Sequence, residues 1–256
     1  METRKNPLRL EPVIGTFYKL VPARAARRVP ENSGEETWRE IIASNPAHFE
    51  AREALADRLT AEGKVAEACQ LRLDGCMLVC DLLDGADEDL MLDWEDPYTA
   101  QALGMVYGSA EDHFVIGDFE MATAMLELLA DRDPEDHLNA AELLLFCYAA
   151  LEEWELFDET EAMLPEGMLS AKLAGYWAAF RRAAPQSELL RVRETMRKDD
   201  PALYKEWTAA EHEITQEYLA DIESRRPSAA AEARRLWLRT ESLWRAFPEF
   251  IAYLRA

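Results

Sequence analysis

Hydrophobic positions recur along most of the chain at the spacing of helices, and prolines and glycines separate the blocks. After a first helix that follows Ser33, the pattern predicts helices over 47–62, 64–83, 98–116, 118–132, 135–150, 152–164, 168–183, 186–198 and about 201–225. A last amphipathic helix follows Pro227, and Pro248 marks a short terminal piece. No alternating run typical of a sheet stands out, except within the first 22 residues.

The stretch from Gly117 to Pro134 is the best-defined turn and helix in this pattern. Gly117 can adopt the left-handed conformation that ends a helix. Ala122, Leu126 and Leu129 then fall on one face of the following helix. The five-residue step from this glycine to the small residue recurs in a second place, from Gly63 to Ala68.

Four dipeptides combine a capping residue with proline, which is favourable at the first position of a helix. Each of them predicts a helix start: Asn45-Pro46, Asp96-Pro97, Asp133-Pro134 and Asp200-Pro201. The regular return of such starts indicates a chain of consecutive helices.

The spacing from Gly117 through Ala122 to Pro134 resembles the second half of a tetratricopeptide repeat. The resemblance implies an all-α fold, a right-handed α-solenoid of about three to five helical hairpins over 35–256, with C-terminal capping helices over about 201–256. Residues 38–63 also resemble the short repeat-companion domain found in some large-genome bacteria, a family that implies no known chemistry.

Residues 1–34 differ from the remainder in composition and are expected to form an N-terminal arm. Seven basic and three acidic residues give the first 31 positions a net charge of +4, whereas the whole chain carries −22. Four prolines interrupt any long helix there: Pro7, Pro12, Pro22 and Pro30. The arm is expected to be extended or partly helical and to lie on an acidic face, or else to be a mobile tail.

The acidic balance favours basic partners and disfavours nucleic acid and anionic membranes, because like charges repel. An alternative is that the excess of Asp and Glu only coats exposed helix faces. No disulfide framework follows from the four cysteines, no signal peptide begins the chain, and no apolar run approaches a membrane span. A cytoplasmic location is therefore expected.

Motifs for enzymatic chemistry are absent from the sequence, including the phosphate-binding glycine loops, the nucleophile elbow and the zinc-protease motif. The acidic run over 81–96 lacks the regular pattern of a calcium loop and is expected to be a solvated loop between repeats or an acidic contact for a basic peptide. No cofactor or metal is predicted. His113 and His137, with Glu111, Asp112 and Asp136, are the only candidates for an acid–base site.

Candidate partner-binding residues come from the resemblance, since the first helix of each tetratricopeptide pair lines a concave groove. The candidates, which are expected to be exposed on the first helices, are Arg52, Gln101, Tyr107, Asn139, Glu142 and Tyr176. An amide such as that of Asn139 can bind a peptide backbone.

The sequence therefore predicts a non-enzymatic scaffold, adaptor or chaperone that binds a basic peptide or protein segment in an acidic groove. Two alternatives stay open. One is an acidic decoy that occupies the basic site of a nucleic-acid-binding protein, which the run over 81–96 motivates. The other is an enzyme with an unrecognised groove site. No oligomeric state is predicted.

Overall fold

The computed structural model describes residues 6–24, 29–30, 33–182 and 185–256. These residues form thirteen helices and one three-stranded sheet, which confirms the mostly helical class. In chain order the elements are β1 (Leu8–Ile14), β2 (Phe17–Pro22), α1 (Glu35–Ser44), α2 (Phe49–Ala61), α3 (Val65–Leu83), β3 (Met91–Leu92), α4 (Pro97–Ile116), α5 (Phe119–Arg132), α6 (Ala140–Leu151), α7 (Trp154–Met163), α8 (Leu169–Arg181), α9 (Gln186–Asp199), α10 (Pro201–Thr208), α11 (Gln216–Ile222), α12 (Ala229–Ala246) and α13 (Pro248–Arg255).

The described part of the predicted N-terminal arm is a β-hairpin, so its extended stretches are paired in a sheet. β1 runs antiparallel to β2 from the Leu8–Pro22 pair onward, and β2 pairs in parallel with β3 at Phe17 and Tyr18. Leu8 and Leu20 are buried, so each of the two longer strands anchors an apolar side chain. The described residues leave out four basic residues of the arm: Arg4, Lys5, Arg27 and Arg28.

Two of the four cap-and-proline dipeptides start helices as predicted, at α4 and α10. The prediction for Asp133-Pro134 is wrong, because α6 begins only at Ala140. Asp136 and Asn139 have φ values of 51° and 54°, which break the helix before it can form. The Asp136 carboxylate instead accepts the Ala140 N–H at 2.6 Å and caps α6 from that position.

The helix start predicted at Asn45-Pro46 is also shifted along the chain. α2 begins at Phe49, and His48 is its N-cap. The His48 Nδ1 atom accepts the Ala51 N–H at 3.3 Å, a capping role that the Asn45 side chain does not take.

The long helix predicted over 201–225 is divided into α10 and α11. At the break, the buried Glu206 carboxylate accepts a hydrogen bond from Arg234 Nε and pairs with His212 Nδ1. The His212 ring stacks on Trp237 with centroids 3.7 Å apart. These contacts hold residues 209–215 out of helical conformation.

The chain divides into two compact units, and each has its own core. The first comprises Met1–His113 with Met121–Ala141, and the second comprises Phe114–Glu120 with Glu142–Ala256. In the first unit α2 and α3 bury Leu55, Ala56, Leu59 and Ala68, against which Trp38, Ile42 and Leu71 pack. The core of the second unit is aromatic, with Trp177, Trp207 and Trp244 in edge-to-face contacts.

The glycines that close the two predicted hairpins have the expected left-handed backbone. Gly63 has φ 78° between α2 and α3, and Gly117 has φ 82° between α4 and α5. Ala68 and Ala122 are both fully buried five residues later. The first helices of successive pairs begin at residues 49, 97, 140 and 169, so the intervals between pairs are unequal.

Within the part of the chain that the structure describes, none of the helices combines the length and the apolar character that a membrane span requires.

In the first unit, the close approach of α3 to α4 depends on the absence of a side chain at Gly75. A Cβ atom at Gly75 would lie 2.8 Å from Met105 Cγ and 3.2 Å from Arg52 Cδ, and both side chains are buried. We expect Gly75→Ala to be less stable than Gly104→Ala by about 1–3 kcal/mol, because it overpacks this contact. Urea unfolding of both variants measures the difference.

Gly104 is the matched control, since it also lies inside a helix and a Cβ there meets nothing within 4 Å. Gly104→Ala is expected to be neutral or stabilising by up to about 1 kcal/mol through helix propensity. Equal unfolding free energies for the two variants would contradict the packing described for Gly75.

Candidate functional site

A cleft in the first unit combines aromatic walls with carboxylates. It is lined by Phe17, Leu92, Asp93, Trp94, Glu95, Asp133, Pro134, Glu135 and His137. The cleft encloses about 420 Å³, including space open to solvent. Among these nine lining residues four carry a carboxyl group and none is Lys or Arg.

One wall is the loop that joins β3 to α4. The Asp93 N–H donates to the Tyr18 carbonyl at 2.8 Å, which ties the start of the loop to β2. The Asp93 carboxylate accepts the Glu95 N–H at 3.2 Å, and the Asp96 carboxylate caps α4 at the Thr99 N–H. Both ends of the loop are therefore anchored, with Trp94 and Glu95 between them.

The opposite wall is the turn that follows α5. The Asp133 carboxylate, whose side chain is only 6% exposed, accepts the His137 N–H at 2.9 Å and pairs with His137 Nδ1 at 2.8 Å. The Glu135 side chain is 80% exposed, and one of its oxygens lies 3.5 Å from His137 Nε2. The turn thus presents one fixed imidazole and one solvated carboxylate.

The two walls meet through the rings of Trp94 and His137. Their centroids are 4.9 Å apart and their planes differ by 5°, so the rings are stacked. The Asp133 hydrogen bond is the main cause of a raised pKa at His137, and the charges of Asp133, Glu135 and Glu95 act in the same direction. The indole face therefore lies against an imidazole that is held in an acidic environment.

Arg132 supports the acidic run that leads to this site. Its Nη1 atom donates to the carbonyl oxygens of Asp87, Glu88 and Leu90 at 2.8, 3.2 and 3.0 Å. Arg132 is buried, whereas the side chains of Asp87, Glu88 and Asp89 are exposed. Residues 84–90, between α3 and β3, are therefore a solvated loop as predicted, with a backbone that Arg132 holds in place.

The six predicted partner-binding residues are divided between the two units and none of them lines the cleft. The prediction that Arg52 is exposed is wrong: it is 5% exposed, and its guanidinium donates to the Pro46 and Leu71 carbonyls. Gln101 and Asn139 are exposed and Tyr107 is half-buried. Asn139 precedes α6 and is not part of a helix.

The remaining two candidates, in the second unit, are engaged by other side chains. Glu142 accepts a hydrogen bond from Arg239 at 3.3 Å. The Tyr176 hydroxyl donates to Asp200 at 2.7 Å, and burial is the main cause of a raised pKa at this phenol.

The predicted acid–base group is divided among separate structural roles. The Asp112 carboxylate forms a two-point ion pair with Arg72 at 2.7 and 2.9 Å. Asp136 caps α6, and His137 belongs to the cleft. In the described residues no group of three or more His, Cys, Asp or Glu side chains is placed to hold a metal ion.

The cleft itself was missed by reasoning from the sequence. Its clearest signal was a tryptophan, Trp94, inside an acidic stretch where a solvated loop would have no use for a large apolar ring. A second signal was the spacing of Asp133 and His137, which places the two side chains within hydrogen-bonding reach of each other.

Comparison of the chain with protein-family models, curated proteins and solved structures found no match.

The raised pKa of His137 generates a prediction about stability and pH. The pKa of His137 is higher in the folded protein than in the unfolded chain, where it is about 6.5. Its protonation therefore stabilises the fold fully below the unfolded-state pKa, and this contribution is lost as the pH rises through the folded-state pKa. We expect Asp133→Asn to lower the pKa of His137, as measured by NMR titration of the ring. We also expect the stability lost in Asp133→Asn to shrink as the pH rises.

The control is Asp131→Asn, which removes an exposed carboxylate two residues earlier on α5. It should leave the pKa of His137 nearly unchanged. If His137 titrates at the same pH in the wild type and in Asp133→Asn, the Asp133 carboxylate does not set its protonation.

Proposed function

We propose that this chain is a non-enzymatic binding protein that takes up a basic segment of another protein. The observation that carries the proposal is the cleft lined by Phe17, Trp94 and the turn 133–137, where aromatic rings and carboxylates share one concave surface. A cationic side chain of the partner occupies this cleft.

The chemistry of the cleft suits a guanidinium or ammonium group. Aromatic faces attract cations through their ring quadrupole, and Phe17 and Trp94 supply such rings. The carboxylates of Glu95 and Glu135 can form charge-assisted hydrogen bonds to the same group. The net charge of −22 raises the rate at which a basic partner arrives.

We further propose that the helical hairpins are tetratricopeptide-like and serve as the scaffold for this binding. Support comes from the left-handed glycines and the buried alanines five residues after them in α2–α3 and α4–α5. On this view Gln101 and Tyr107 stay candidate contacts of the partner. A cytoplasmic location is part of the same proposal.

A second candidate function is the acidic decoy, and one observation favours it. The Arg132 guanidinium donates hydrogen bonds to the backbone of residues 87–90, while the acidic side chains of residues 87–89 are exposed. A fixed row of carboxylates could imitate a phosphate backbone on a basic protein surface.

The proposed function is tested with a synthetic peptide in which arginine alternates with serine. We expect the double variant Glu95→Gln, Glu135→Gln to bind this peptide about tenfold more weakly than the wild type, a loss of about 1.4 kcal/mol. Isothermal titration calorimetry at low and at physiological salt measures the affinity, which should fall with salt in every variant.

The matched control is Glu223→Gln, Glu249→Gln, which removes the same charge from exposed positions in the second unit. Equal losses in both double variants would mean that only the general field binds the peptide. If Asp87→Asn, Asp89→Asn weakens binding and the cleft variant does not, the decoy function is favoured over the proposed one.

A further inference from the structure

The tip of the β1–β2 hairpin exposes a group of large apolar side chains. Val13, Ile14 and Phe17 are 48%, 75% and 41% exposed. The register of the hairpin shifts between Pro12 and Ile14, which leaves Val13 without a paired residue. Such a bulge redirects side chains locally, and the three exposed apolar residues lie beside it.

Near the tip, the backbone edges of this hairpin offer few N–H donors, so strand addition does not explain the exposed side chains. The outer edge of β2 pairs with β3, and the Leu20 N–H donates to Thr99 Oγ1 at 2.9 Å. On β1, the Leu8 N–H donates to Asn6 Oδ1 at 2.9 Å, and Pro12 has no N–H to offer. The side chains at the tip are therefore the available contact surface.

The tip is continuous with the acidic cleft, because Phe17 belongs to both. A ligand that places a cation in the cleft has its neighbouring residues beside Val13 and Ile14. A clustered apolar surface next to a charged one is typical of a binding site, whereas single exposed apolar side chains are common everywhere.

The four carboxylates of the adjoining cleft decide between the possible occupants of the tip. A second copy of this chain would bring another −22 charges and its own acidic cleft against the first. An anionic lipid surface would be repelled for the same reason. A segment that is basic and also carries an apolar residue is attracted by the cleft and can still cover the tip.

We propose that the hairpin tip, Val13 and Ile14 with Phe17, binds an apolar side chain next to the cation in the basic segment that enters the cleft. This inference rests on the proposed function and narrows it. The partner's recognition sequence is then a basic residue with a large apolar neighbour, and a run of basic residues alone binds less tightly.

Two synthetic peptides of equal length and charge test the inference, one alternating arginine with leucine and the other alternating arginine with serine. We expect the wild type to bind the leucine peptide about tenfold more tightly, the effect of burying part of a leucine side chain. The variant Val13→Ser, Ile14→Ser should bind both peptides with the affinity that the wild type shows for the serine peptide. Phe17 is left intact because it also lines the cleft.

The control is Met163→Ser, which removes an apolar side chain that is 75% exposed in the second unit. It should keep the preference for leucine. Circular dichroism and thermal unfolding of the tip variant should match the wild type, since both replaced side chains are largely solvated.

The remaining outcomes overturn the inference in distinguishable ways. If the tip variant keeps the full preference for the leucine peptide while Glu95→Gln, Glu135→Gln weakens both peptides, the tip is not a contact and the proposed function stands. If neither peptide binds the wild type, both proposals fail. If the tip variant instead abolishes a wild-type dimer in sedimentation, or binding to anionic phosphatidylserine vesicles, the occupant is a second copy or a lipid surface.

Discussion

Two adjacent side chains at the end of α5 position both walls of the cleft. The Arg132 guanidinium fixes the backbone that leads into β3 and on to Trp94, and the Asp133 carboxylate fixes His137 in the opposite turn. Both side chains are buried, so their hydrogen bonds form away from competing water. The geometry of the aromatic stack depends on this pair of anchors. Loss of either one would separate a wall of the cleft from the helix that supports it.

The electrostatics of the cleft follow from the same arrangement. Asp133 is occupied by His137, so the carboxylates that face solvent and remain available to a ligand are chiefly Glu95 and Glu135. Because Asp133 raises the pKa of His137, the imidazole keeps its proton to a higher pH than an isolated histidine would. Under the proposed function, a protonated ring reduces the attraction of the cleft for a cation, so binding should strengthen as the pH rises.

Local patterns in the sequence identified most helices, because helical periodicity and glycine turns depend on neighbouring residues. α3, α4 and α9 begin or end within a residue or so of their predicted bounds, and Gly63 and Gly117 close turns as expected. The predictions that were wrong concern contacts between residues that are distant along the chain. Arg52 is buried because the Leu71 carbonyl lies nineteen residues away to receive it, and α10 stops where Glu206 meets Arg234. The cleft unites residues near positions 17, 94 and 137, so no local pattern could have shown it.

The central claim is that a cationic side chain binds in the cleft lined by Phe17, Trp94 and the turn 133–137. The most direct measurement is a two-dimensional NMR titration with the arginine–leucine peptide, in which the Trp94 indole N–H and the His137 ring are followed. The account predicts that these two signals shift together, saturate with the same affinity in the wild type, and saturate only at about tenfold higher peptide concentration in Glu95→Gln, Glu135→Gln. Saturable binding that leaves both signals unmoved and shifts only residues outside the cleft would contradict it.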